Sequence, residues 1–313
     1  MKLVWTGLSV LLTLGLSGCA VFYTSQIDPA VDALPPAPKF VSEDRVLLVS
    51  PHPDDGALCC AGIIQHALQA RAEVYIVWIT SGDGFVLDAM LTEGTWSPGV
   101  VGMEGLGERR MAEARAASSI LGVAEGNLFF LGYPDGGLEK IFTEHYREPY
   151  RSPYTGLEAV SYPEAVSPGA SFTSVNLNAD LKKVFEEVSP TVVLAPSPLD
   201  RHPDHRTTGN MTLRRLINMG NGAPEAFWWI VHGAYEWPLP KGLQPHRTLY
   251  PAPLGRELAW YRVDLTPEQK TRKYEALLAH ETQMSFEPRF MKAFVRRNEL
   301  LSPTSLPEQY DGR

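Results

Sequence analysis

Two short segments of this chain concentrate residues able to do chemistry. Pro51-His52-Pro53-Asp54-Asp55 and His202-Pro203-Asp204-His205 share a His-Pro-Asp core, and between them carry three imidazoles and three carboxylates. Both side-chain types ligate zinc, and a catalytic zinc site commonly keeps about three protein ligands and leaves a position for water. Two histidines and one aspartate would leave the metal net positive, so that bound water ionises near neutral pH. The residues beyond three ligands are what general acid–base catalysis needs. One such segment alone would read as a histidine ahead of a helix cap. Two of them, each directly behind an apolar run, point to a hydrolytic metal site.

The elements that must position these residues follow from pattern. Proline disfavours helical geometry at the preceding residue, so His52 and His202 should be extended, at strand ends. Proline itself suits the first helical position, which puts the following acids at helix N-termini, where the dipole favours ionised carboxylates. Apolar runs predict strands at 45–50, 73–80, 127–131, 191–195, 226–232 and 258–263. Helices are expected at 56–70, 106–122, 176–188, 205–219, 266–283 and 286–300, and irregular loops at 81–104 and 143–174. The alternation implies βαβ units and an α/β fold with a mostly parallel sheet flanked by helices. Ligands then bind beyond the carboxyl ends of the strands, under the long loops.

With 313 residues, 44% of them hydrophobic, the chain can bury a large core without disulfides. Its net charge of -8 and the lack of a basic stripe argue against nucleic-acid binding. Lys2, the apolar run Leu3 to Leu16 and Leu16-Ser17-Gly18-Cys19 resemble a bacterial lipoprotein signal. The alternative is an ordinary secretory signal with a chance cysteine. The expected division is a signal peptide at 1–18, a lipidated Cys19 and tether at 19–43, the catalytic domain at 44–300 and a tail at 301–313. Cys19 would anchor the protein to the membrane of the cell envelope. Ala20, where aspartate would signal inner-membrane retention, suggests the outer membrane, facing the periplasm. Cys59 and Cys60 are expected as buried free thiols.

The paired segments resemble those of the LmbE-like, or PIG-L, deacetylases, which remove acetyl groups from N-acetylglucosaminyl compounds. The resemblance extends over roughly 45–285 and includes Thr80-Ser81-Gly82-Asp83-Gly84, Arg110-Met111-Ala112-Glu113, Leu131-Gly132-Tyr133-Pro134-Asp135-Gly136, and Lys273-Tyr274-Glu275-Ala276-Leu277 with His280 and Gln283. It implies a Rossmann-like fold, zinc (Zn2+) held by His52, Asp55 and His205, and Asp54 as general base. It implies that His202 stabilises the tetrahedral oxyanion or protonates the leaving amine, and that Asp204 orients a histidine. Arg110 and Asp135 match positions that hold sugar hydroxyls.

Plainer readings stand beside these. Arg110 and Glu113 could form a surface ion pair, and Asp135 or Asp83 could stabilise a turn. His232, at a strand end, could contact substrate or be structural, and His280 reads as a packing residue. The rival functions are another metal-dependent amide or phosphoester hydrolase and an inactive glycan-binding lipoprotein. A membrane-tethered enzyme would meet an envelope glycan or glycolipid.

Overall fold

The computed structural model describes residues 27–84, 99–234 and 236–304. The signal segment, Cys19 and most of the 81–104 loop lie outside these residues. The strands are β1 Arg45–Ser50, β2 Glu73–Thr80, β3 Leu128–Tyr133, β4 Val192–Pro196, β5 Glu225–Trp229, β6 Tyr261–Asp264 and β7 Asn298–Pro303. They form one sheet in the order β3-β2-β1-β4-β5-β7-β6. The first five pair in parallel, and β7 runs antiparallel to both β5 and β6. This is the α/β, Rossmann-like arrangement expected.

Strand order reverses beside β1, which pairs with β2 on one side and β4 on the other. Such a switch point opens a crevice at the carboxyl ends of the two central strands. Val46 to Val49 of β1 and all of β4 are buried, as strands covered on both faces must be.

The helices are α1 Asp28–Asp32, α2 Asp55–Cys59, α3 Ala61–Gln69, α4 Gly99–Leu121, α5 Leu138–Thr143, α6 Ser174–Val188, α7 Pro203–Met219, α8 Pro267–Leu278, α9 Glu281–Phe286 and α10 Pro288–Lys292. The single helix expected at 56–70 is two helices, broken at Cys60 (φ -134°, ψ 9°). Cys59 and Cys60 are joined there by a disulfide, which corrects the expectation of free thiols.

The helix expected at 286–300 is also corrected. It stops at Lys292, and the chain turns into β7, which fills the place between β5 and β6. Glu299 on β7 is fully buried, where it accepts from the amides of Gly62 and Ile63 and pairs with Lys273 Nζ at 2.6 Å. Asn298 exchanges hydrogen bonds with the backbone of Leu249. Two buried polar residues at the strand start disguise its pattern. The sheet therefore reaches Pro303, beyond the expected end at 300.

Part of the expected tether is attached to the domain. Asp28 accepts from Thr248, Val31 is buried, and Ala37 N donates to the Arg262 carbonyl.

Candidate metal centre and catalytic cleft

The first His-Pro segment leaves the end of β1 and is fixed by its neighbours. Thr80 donates to the Pro51 carbonyl from both its amide and its hydroxyl, and Trp78 Nε1 donates to the Pro53 carbonyl. Ser50 Oγ donates to the His52 carbonyl, and the His52 amide donates to Asp55 Oδ2 at 2.9 Å. The second segment follows β4 by a short loop. His202 is extended (φ -71°, ψ 130°) and caps α7, its Nδ1 accepting from the Asp204 amide at 3.2 Å. Proline thus does what the sequence suggested, holding the residue before it out of the helix.

The two segments bring three donor groups together. His52 Nδ1 lies 3.2 Å from His205 Nε2 and 3.2 Å from Asp55 Oδ2, and His205 Nε2 lies 3.3 Å from Asp55 Oδ1. Four-coordinate zinc with bonds of about 2.0–2.1 Å has ligand–ligand edges of roughly 3.3–3.4 Å. The donor set and its spacing therefore fit a small tetrahedral dication. Two histidine rings and a carboxylate are also a suitable donor set chemically.

Electrostatics around these donors favour a cation. Asp54, Asp55, Asp200 and Asp204 are buried, and Asp135 nearly so. Burial pushes the His52 imidazole toward neutrality, but Asp135, Asp204 and Asp55 outweigh it and raise its pKa well above the ordinary value. Burial opposes protonation of His205 too, yet Asp55 and Asp200 hold its pKa up to about 9. The same histidines, against the cost of burial, hold the Asp55 carboxyl well below the usual range.

The residues around the ligands have separate tasks. Asp204 Oδ2 stands 3.4 Å from His52 Nε2, and the carboxylate accepts from the amides of Gly136 and Leu138. It is therefore placed to orient the His52 ring, and it fastens the loop after β3 to α7. Asp135 Oδ1 also approaches His52 Nε2, at 3.2 Å. Arg110 is buried, not on the surface: Nη2 donates to Asp54 Oδ1 at 3.1 Å and Nη1 to the Gly82 carbonyl at 2.8 Å. The Arg110–Glu113 surface pair is thus set aside. Glu113 instead accepts from the Thr282 amide and hydroxyl at the start of α9. Asp83 accepts from the Asp135 amide and the Tyr162 hydroxyl, a structural role.

His202 and His232 stand beside the ligands, with ring centroids 4.7 Å from His52 and 4.7 Å from His205 respectively. Burial, and then the neighbouring imidazoles, push His202 down to about 2; burial and His205 push His232 down to about 4. Both shifts favour the neutral ring. The two histidines line a cavity of about 240 Å³ together with His52, Asp54, Asp55, Arg110 and Asp135.

Sequence reasoning missed Asp200. It is fully buried, with Oδ2 3.3 Å from His205 Nδ1 and accepting from the amides of Val231 and His232, while Oδ1 accepts from the His202 amide. The signal was its place two residues before the second His-Pro, where an aspartate readily bonds the backbone two residues on. Also missed were Gln283, Glu287, Phe290 and Met291 as further lining of the cavity.

Comparison with known proteins gives the family and the fold. The model of the PIG-L family, GlcNAc-PI de-N-acetylase, matches residues 47–216. A 1D-myo-inositol 2-acetamido-2-deoxy-alpha-D-glucopyranoside deacetylase of Mycolicibacterium smegmatis is 30% identical over 289 residues, covering 85% of this chain and 89% of that one. Among solved structures, an N,N'-diacetylchitobiose deacetylase from Pyrococcus horikoshii superposes with a TM-score of 0.52 at 19% identity, covering 84% of each chain. A deacetylase of the teicoplanin biosynthesis pathway reaches 0.54 at 18% identity, covering 83% of this chain and 97% of that one. The structural likenesses concern the fold. The matched family model, which spans both His-Pro segments, places this chain in the PIG-L family of metal-dependent deacetylases.

Proposed function

We propose that this protein is a zinc-dependent hydrolase that removes the acetyl group from an N-acetylglucosamine-type sugar. The observation that carries the reading is the cluster of His52, Asp55 and His205 donors with edges of 3.2–3.3 Å, open to a cavity that Asp54 and His202 also line. The deacetylase relatives supply the bond type and the sugar.

A metal held by His52, Asp55 and His205 would polarise the acetyl carbonyl and lower the pKa of a water. Asp54 takes the proton from that water as it attacks. Arg110 engages Oδ1, which fixes the carboxylate and leaves Oδ2 to receive the proton. His202 is neutral, and its Nδ1 is occupied as an acceptor of the Asp204 amide, so its proton sits on Nε2. Nε2–H is then a donor for the oxygen that gains charge as the tetrahedral intermediate forms. A neutral imidazole that donates from Nε2 suits the oxyanion role. The proton collected by Asp54 passes to the leaving amine, and acetate departs.

Acetate release from N-acetylated sugars by the soluble domain, abolished by chelation and restored by zinc, tests the reading. Release of phosphate from phosphoesters in place of acetate would overturn it. We also propose that the enzyme acts at the cell envelope, held by a lipid on Cys19; the sequence Leu16-Ser17-Gly18-Cys19 supports this. Envelope glycans or glycolipids are then its substrates.

A further inference from the structure

One wall of the cavity is not used by the chemistry above. Gln283, Glu287, Phe290 and Met291 line it. The Glu287 amide donates to the Gln283 carbonyl at 2.8 Å, and the Met291 amide to the Glu287 carbonyl at 3.0 Å. Residues four apart in such turns share a face, so these three side chains form one stripe toward the cavity. The stripe is firmly placed, because Glu113 of α4 holds the Thr282 amide and hydroxyl at the start of α9.

One polar member of the stripe has a buried donor without a partner among the described residues. Gln283 is 9% exposed, and its Nε2 has no hydrogen-bond partner. The Glu287 carboxylate is exposed at the rim of the cavity, makes no hydrogen bond to a described residue, and has Lys241 as a charge neighbour. Burial first, and then the nearby Asp54, raise its pKa. Lys241 is engaged beside it, with Nζ 4.6 Å over the Phe290 ring and 3.5 Å from the Trp237 carbonyl. Buried polar groups are normally satisfied, and each exception calls for a ligand or a water. Here the buried, unmet Gln283 donor lies one turn from the exposed Glu287 acceptor, next to the apolar surfaces of Phe290, Met291 and Leu58. Neighbouring hydroxyls on a ring with an apolar face match that pattern. Anionic groups match it less well: Asp54, Asp135 and Glu287 face the same space, and the one guanidinium among the described residues there, Arg110, already pairs with Asp54 and Asp135.

We propose that Gln283 and Glu287 form the sugar-hydroxyl subsite, and that Glu287 restricts the enzyme to N-acetyl sugars without a carboxylate or phosphate beside the acetylated ring. This rests on the deacetylase reading above. Zinc-loaded protein should be assayed for acetate release on neutral N,N'-diacetylchitobiose and on anionic N-acetylmuramic acid and N-acetylglucosamine 6-phosphate. The parent enzyme should prefer the neutral sugar in kcat/KM by about tenfold or more. Glu287→Gln keeps the shape, removes the charge, and should raise kcat/KM on the anionic sugars about tenfold. Gln283→Ala and Glu287→Ala should each raise KM on the neutral sugar roughly five- to tenfold while kcat holds, with zinc content unchanged. Equal use of neutral and anionic sugars by the parent, or an unchanged preference in Glu287→Gln, would overturn the subsite and leave the deacetylase reading intact. Acetate release from none of them would remove both.

Discussion

Asp54 and Arg110 meet in a buried ion pair, with Nη2 3.1 Å from Oδ1, although 56 residues separate them in the chain. The same guanidinium donates to the Gly82 carbonyl, so it ties the loop after β2 to the first His-Pro segment. The proposed base is thus held from α4, the helix behind it, and not by its own loop.

This pair separates metal binding from proton transfer. Asp54→Asn keeps the size of the side chain and spares His52, Asp55 and His205. Zinc content should stay at the parent level while kcat falls by about 10²–10⁴. Arg110→Ala should lower kcat as well and also destabilise the fold, by about 3–5 kcal/mol, because Asp54 and the Gly82 carbonyl lose their buried donor. Metal analysis, initial rates and denaturant unfolding check the two variants.

Asp200 Oδ2 lies 3.3 Å from His205 Nδ1, on the side of the ring away from the proposed ligand atom Nε2. Asp200→Asn retains hydrogen bonds to the backbone of residues 202, 231 and 232 only in part, and it removes the charge 3.3 Å from His205 Nδ1. Zinc affinity should fall about 10–100-fold. Competition against a chelating dye measures it; parent-level affinity would show that His205 is held by its packing alone.

Stability should depend on pH through Asp83. Burial raises its pKa to about 7; the Asp135 amide pulls the other way, and the Asp135 carboxylate adds to the rise. The folded value lies above the unfolded value, so the stabilisation is complete below about pH 4 and is lost as pH rises toward 7. Over that window the unfolded chain releases a proton that the folded chain keeps. Asp83→Asn should flatten this part of the stability–pH curve of the metal-free protein, by an amount on the order of a few kcal/mol. Denaturant melts at a series of pH values test it.

Glu299 and Lys273 form a fully buried pair at 2.6 Å, remote from the proposed chemistry. Glu299→Ala would strand the Lys273 charge and uncap α3 at Gly62 and Ile63. A loss of about 3–5 kcal/mol is expected in denaturant unfolding. The double variant Glu299→Leu with Lys273→Met should recover much of it.

The catalytic half of this molecule is legible in the sequence because its instructions are local. A proline after each histidine and an apolar run before it specify strand end, turn and helix start within ten residues or so, a range short enough to read by eye. Asp200 was harder: it acts on a residue five positions along, but across a loop whose path the sequence does not give. The wall made by Gln283, Glu287 and Met291 was harder still. Its helical signal is genuine, but which face turns to the cavity depends on how Glu113 fastens α9 to α4, a contact spanning 169 residues. Strand β7 was hidden for the opposite reason. Asn298 and Glu299 fall at the end of the helix expected at 286–300, and only the buried amides of Gly62, Ile63 and Leu249 explain them. The disulfide between Cys59 and Cys60 also escaped, since a break in the helix at Cys60 has no glycine or proline to announce it.

The side-by-side placement of β1 and β4 has a consequence for how the centre comes into being. His52 and His205 are 153 residues apart, so a growing chain carries two of the three proposed donors long before the third exists. Until β4 docks against β1, the early donors His52 and Asp55 can offer a metal only a loose, two-point grip. An ion bound by the proposed ligands would therefore be captured only once the middle of the sheet has closed, and it would act as a clasp on the finished fold.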